Sequence, residues 1–148
     1  MTVRRKVAYI CGPLTELPPD EQQQVKKFYS RLADICELIS GVRAFVPHEH
    51  FDPIINSQYT PAEVDSAERY QICECTCILI VVAIAPSWGG GIEVEMAYHN
   101  SIPAVILWPS GKKISRLLLG NPAVLRVFCY ESEEHAVWLL TDSLRDLL

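Results

Sequence analysis

The sequence has no surplus of positive charge, no long apolar run and no cysteines placed as loop staples. Thirteen Lys plus Arg stand against eighteen Asp plus Glu in 148 residues, a formal charge of −5. Coating a nucleic acid requires a surplus of cations against phosphate, so that class of function is excluded. Small anionic ligands stay open, because local dipoles rather than net charge bind them. No stretch approaches the ~20 apolar residues of a membrane span. The basic run Arg4-Arg5-Lys6 is followed only by Val7 to Cys11 before Pro13, too short for the apolar part of a secretion signal. The expectation is a soluble cytoplasmic protein. Repeats, low-complexity tracts and linkers are also missing, which implies a single domain over residues 1–148. Cysteines 11, 36, 73, 75, 77 and 129 fall mostly inside apolar elements, as reduced core thiols do. Cys73, Cys75 and Cys77 alternate, unlike the two-residue spacing of zinc knuckles.

What is present is a pattern of strand and helix in alternation. With 49% hydrophobic residues the chain can bury roughly two thirds of its unfolded surface. Val7 to Cys11 reads as a short buried strand broken by Gly12-Pro13. Val25, Phe28, Leu32, Ile35 and Ile39 recur at helical spacing until Gly41. Val42 to Val46 is expected as a second strand, and His48 to Tyr59 as a long polar loop. Pro61 opens a helix through about Glu74. Ile78 to Ile84 is the strongest strand, apolar throughout and so buried on both faces. A helix from Gly89 to Asn100, a strand from Ala104 to Leu107, a helical turn at Ser115 to Leu119, a strand from Val124 to Tyr130 and a closing helix from Glu133 follow. The expected fold is α/β: a five-stranded parallel doubly wound sheet, flavodoxin-like, a Rossmann-like three-layer sandwich. Such sheets bind ligands at the carboxyl ends of their strands.

The segment Pro86-Ser87-Trp88-Gly89-Gly90-Gly91-Ile92-Glu93 sits at that end of the central strand. Its glycines let the backbone approach a ligand, and the helix that follows offers free N–H groups. Glu93 is expected in the first helical turn, where the dipole favours an ionised carboxylate. Such a carboxylate suits a nucleophile attacking a sugar carbon, although spacing alone leaves Glu93 equally open to being an ordinary helix acid. His48-Glu49-His50 has the alternation of a metal pair but no third ligand. Tyr9, Phe51 and Trp88 are candidates to stack on a base. Glu95, on a different helix face from Glu93, is a weak partner carboxylate.

Tyr9-Ile10-Cys11-Gly12-Pro13, taken with Pro86-Ser87, Gly89, Gly91, Glu93 and Ala97, resembles the nucleoside deoxyribosyltransferase superfamily. The resemblance implies that Glu93 is the nucleophile that takes the sugar from its base. Ser87, where the transferases carry an acid, is similar to the nucleoside 5'-monophosphate N-hydrolase branch, because a hydroxyl tolerates a phosphate dianion. Pro109 to Gly120 is similar to that branch's segment after the fourth strand, and Ser115 matches the serine that reaches the phosphate of a neighbouring subunit's ligand. Tyr9, Gly12, Gly89, Gly91 and Trp88 complete the implied substrate site. The chain departs from the branch in two places. Pro13, Leu14, Thr15 and Glu16 replace a Gly- and Arg-rich phosphate loop, and a family aspartate falls, without gaps, on Arg69, with Asp65 and Glu68 as possible substitutes. The expectation is therefore a homodimeric N-glycosidase of nucleotides, with Glu93 and Asp65 or Glu68 as catalytic residues. Its substrate would be a deoxyribonucleotide or a pyrimidine ribonucleotide such as CMP, and it would require neither metal nor organic cofactor. Two alternatives are a base-exchanging deoxyribosyltransferase and a nucleotide- or flavin-binding module without chemistry.

Overall fold

The structure, a computed structural model, describes residues 7–148; the basic run Arg4 to Lys6 lies outside the described residues. Four parallel strands, β1 (Val7–Cys11), β2 (Thr76–Val82), β3 (Ala104–Pro109) and β4 (Val124–Tyr130), form one sheet in the order β1-β2-β3-β4. Their residues alternate between two apolar clusters. Ala8, Ile10, Ile78, Ile80, Val105 and Leu107 pack on one face against α1 (Pro19–Ser40) and α6 (Glu133–Leu147). Tyr9, Cys11, Leu79, Val81 and Ile106 pack on the other face, against Val94, Met96 and Ala97 of α4 (Trp88–His99). The result is the expected three-layer α/β sandwich.

The sheet has four strands, not five. The segment 42–46 contributes a single parallel bridge, Phe45 to Tyr9, on the free edge of β1. Ile10 N–H donates to Phe45 O at 2.9 Å and Phe45 N–H to Ala8 O at 2.8 Å. Pro47 follows at once; it lacks an N–H and restricts the residue before it, so the ladder cannot extend. The chain then turns into a short helix, α2 (Pro47–Phe51), where a continuous loop was expected. From Phe45 it crosses to β2 on the far side of β1, which places a change of winding direction between β1 and β2. Ligands of doubly wound sheets bind at that switch point.

Helix α1 ends where Gly41 adopts φ 79°, a left-handed conformation that glycine takes without strain, and its N–H bonds Glu37 O. Thr60 and Glu63 cap α3 (Pro61–Tyr70) reciprocally. Helix α3 runs into a π-helical turn, Gln71–Cys75, before β2. The cysteines are not all core: Cys11 and Cys36 are buried, Cys73, Cys75 and Cys77 half-buried, and Cys129 exposed on edge strand β4. Among the described residues no helix is long and apolar enough to cross a membrane.

Candidate active site

Strand β1 alternates, so Tyr9 and Cys11 point to the same side, toward the start of α4. Glu93 comes from α4 itself, and its carboxyl group meets them. Glu93 lies in the second turn, because the first turn, opened by Trp88, holds no acid. Position and burial therefore overturn the expected dipole stabilisation. Glu93 Oε2 is shut off from solvent and has no hydrogen-bond partner. Burial, reinforced by the nearby negative charge of Glu68, raises its pKa to about 8, while the Tyr9 hydroxyl and Cys11 thiol on the same side oppose the shift. Neither Tyr9 Oη nor Glu93 Oε2 closes a hydrogen bond of ordinary geometry, so a buried donor and a buried acceptor are left facing one site. Such orphan groups cost stability unless a ligand completes them.

Glu68 is the second carboxyl group of this site. Burial first, and Asp65 second, raise its pKa to about 7. Its charge acts on Glu93, Tyr9 and Cys11 alike. Asp65 and Arg69 instead pair with each other on the exposed face of α3, at 3.0 and 3.1 Å. Glu68, not Arg69, is the α3 side chain whose charge reaches Glu93 and Tyr9.

On the other flank of α4 a cleft of about 940 Å³ opens at the carboxyl ends of β1 and β2. Gly12, Ser87, Trp88, Gly91 and Ser115 line it, whereas Tyr9, Glu68 and Glu93 do not; the cleft meets the carboxylate site at Cys11 and Gly90. Ser87 caps α4, accepting from Gly90 N–H at 3.1 Å, and Ser115 caps α5 (Arg116–Leu119), accepting from Leu117 N–H at 3.2 Å. Capping uses an oxygen lone pair and leaves each hydroxyl proton free to donate. A Cβ at Gly90 would stand 3.4 Å from both Cys11 Sγ and Ser87, and one at Gly89 would stand 3.7 Å from Glu93 Oε1. The glycine run therefore lets strand and helix close around the site. Gly12 has no room for a side chain because Tyr29 crowds it, the Tyr29 hydroxyl donating to Pro13 O at 2.7 Å.

Other candidates are differently placed. The Tyr9 ring is covered by Phe45, centroids 5.3 Å apart, so it presents its hydroxyl rather than a stacking face. Phe51 packs edge-on against Tyr59, and Trp88 is 87% exposed at the cleft rim. His48 and His50 sit on α2 and diverge: His48 Nε2 lies 3.3 Å from Ser30 Oγ, and His50 stacks on Phe45. Among the described residues no group of three metal-binding side chains forms. Glu95 is held by Asn121 Nδ2 at 2.9 Å and lies 3.2 Å from His99, away from Glu93. The sequence reading did not assign Cys11 to the site; its two-residue spacing from Tyr9 on a strand is the signal that places it there.

No sequence family matches the chain, and no curated protein sequence does. Solved structures do. The chain superposes with a TM-score of 0.68 on a CMP N-glycosidase, BcmB, of Clostridium botulinum, at 18% identity over 93% of this chain and 99% of that one. A conserved protein of Enterococcus faecalis V583 gives 0.65 at 15% identity, over 95% and 99% of the two chains. The fold is shared with both.

Proposed function

We propose that the protein is an N-glycosidase that cleaves a nucleoside 5'-monophosphate into free base and a sugar 5-phosphate. The observation that carries this reading is the inward pair Glu93 and Glu68 beside Tyr9 at the carboxyl ends of β1 and β2. The likeness in fold to a CMP N-glycosidase supports it and makes a pyrimidine ribonucleotide such as CMP the first substrate to test.

Glu93, raised by burial and by the charge of Glu68, and Glu68, raised by burial and by Asp65, together hold on average one proton between about pH 7 and 8. That single proton rests mainly on Glu93, the weaker acid; the reactive form is the tautomer with the proton on Glu68, which supplies a nucleophile and an acid together. Glu93, ionised, attacks the anomeric carbon while the bond from that carbon to the base nitrogen breaks, its electron pair leaving with the base. Glu68 donates a proton to the base. A water, deprotonated by Glu68, then attacks the anomeric carbon and Glu93 leaves as carboxylate. The Tyr9 hydroxyl stabilises the ionised form of Glu93. All of these steps run on side chains of the chain itself.

In this reading Ser87 and the N-terminus of α4 meet the phosphate, which the free Ser87 hydroxyl proton supports. The resemblance implies a homodimer in which Ser115 reaches the neighbouring site; in one chain Ser115 already lines the same cleft as Ser87. Incubation with ribo- and deoxyribonucleoside 5'-monophosphates and their nucleosides, with the products separated by chromatography, tests the reading. Free base from the monophosphates supports it. Base released only when an acceptor base is added would assign base exchange instead, and no release from any substrate would overturn the proposal.

A further inference from the structure

A phosphate dianion in the cleft is held more tightly where cations add charge-assisted hydrogen bonds to those of hydroxyls and N–H groups. The loop after β1 offers none, since Gly12 to Glu16 reads Gly-Pro-Leu-Thr-Glu and Tyr29 pins it at Pro13. Across the cleft stand Lys113 and Arg116, on either side of Ser115. They are the cationic side chains of the lining, and among the described residues neither has an ion-pair partner, whereas Lys26, Arg31, Arg43 and Arg69 all do. The one carboxylate of the lining, Glu95, is occupied with Asn121 and His99. Opposite the two cations lies the first turn of α4, whose Trp88 and Gly89 N–H groups have no acceptor among the described residues. Cys11 and Gly90, in contact with each other, stand between this cleft and the buried Tyr9 Oη and Glu93 Oε2. A phosphate held in the cleft would lie between the start of α4, the helix that carries Glu93, and the 113–116 segment.

We infer that Lys113 and Arg116 are the phosphate-recognition residues of this protein, gripping the 5'-phosphate within a single chain's cleft and making it select nucleotides over nucleosides. The inference rests on the proposed function for its substrate but not for its test. Isothermal titration calorimetry with ribose 5-phosphate on the full chain reads the site without turnover, with ribose as the uncharged control. Two charge-assisted contacts, each worth about tenfold, imply that Lys113→Gln/Arg116→Gln weakens ribose 5-phosphate binding on the order of 100-fold. Thermal unfolding of the same variant checks that it folds. Lys112→Gln, next in sequence but outside the cleft lining, should bind as the wild type does. In catalysis the double variant should lose its preference for monophosphate over nucleoside, read as a ratio of kcat/KM, through KM rather than kcat. Equal binding by wild type and double variant, an equal loss in Lys112→Gln, or no binding by the wild type would overturn the inference. Ribose 5-phosphate bound through these two residues with no base released from any nucleotide would instead count against the glycosidase reading alone.

Discussion

The two flanks of the start of α4 are chemically opposite. On one side Glu93, Glu68, Tyr9 and Cys11 form a closed, carboxyl-rich interior in which burial dominates every titration. On the other, a wide, mostly apolar cleft also carries hydroxyls, open N–H groups and two cations that have no ion-pair partner among the described residues. The segment from Ser87 to Met96 borders both. The difference teaches how one helix divides labour: a carboxylate needs exclusion of water to become a tuned acid or nucleophile, whereas a phosphate needs donors that stay accessible until the ligand arrives.

The largest effect expected is at the closed flank. Glu93→Gln should reduce base release on the order of a thousandfold or more, since it removes the nucleophile while keeping the shape. The same substitution has a stability signature. A carboxyl group whose folded pKa is raised, here to about 8, holds stability that is complete below its unfolded pKa and lost as pH rises toward the folded value. Glu93→Gln should therefore melt higher than the wild type at about pH 8.5, on the order of 3 kcal/mol more stable, and show little difference at about pH 4.5. Thermal unfolding at both values checks it.

Glu68→Gln comes next, with a loss on the order of 100-fold, the usual contribution of a general acid. It also removes the negative charge that helps hold Glu93 up, so the acidic limb of the pH-rate profile should move to lower pH. In the wild type kcat/KM should peak between about 7 and 8, where the pair holds one proton. An unmoved limb in Glu68→Gln would separate the two carboxyl groups.

Ser87→Ala, on the open flank, loses a helix cap worth about 1 kcal/mol and one donor to the phosphate. A raised KM with kcat nearly kept is expected. Arg69→Ala should do least, leaving stability and turnover close to the wild type, because its pair with Asp65 is solvent-screened. A large loss of activity in Arg69→Ala would mean that the phase assigned to α3 is wrong.

The sequence is legible where periodicity is strong and the neighbours are apolar. Strands β1 to β4, the long helices and Gly41 as a stop all follow from apolar spacing. Val42 to Val46 looked like a strand because β-branched residues flank it, but strand identity needs a ladder, and Pro47 ends this one after a single bridge. The site was legible by residue type but not by environment. Glu93 and Ser87 stand in the motif, yet the raised titration of Glu93 depends on burial by β1 and on Glu68, both distant in sequence. Among Asp65, Glu68 and Arg69, the half-buried setting of Glu68 and the exposed pairing of the other two come from how α3 packs, which no periodicity marks in advance. Lys113 and Arg116 read as ordinary surface cations until the cleft set them opposite Ser87.

The account stands or falls on a covalent bond at Glu93. Acid-quenching the protein during turnover of a nucleoside 5'-monophosphate and mapping its peptides by mass spectrometry tests this directly. The account predicts a sugar phosphate ester on the peptide containing Glu93, absent from Glu93→Gln. A label on another residue, or undiminished base release by Glu93→Gln, would contradict it.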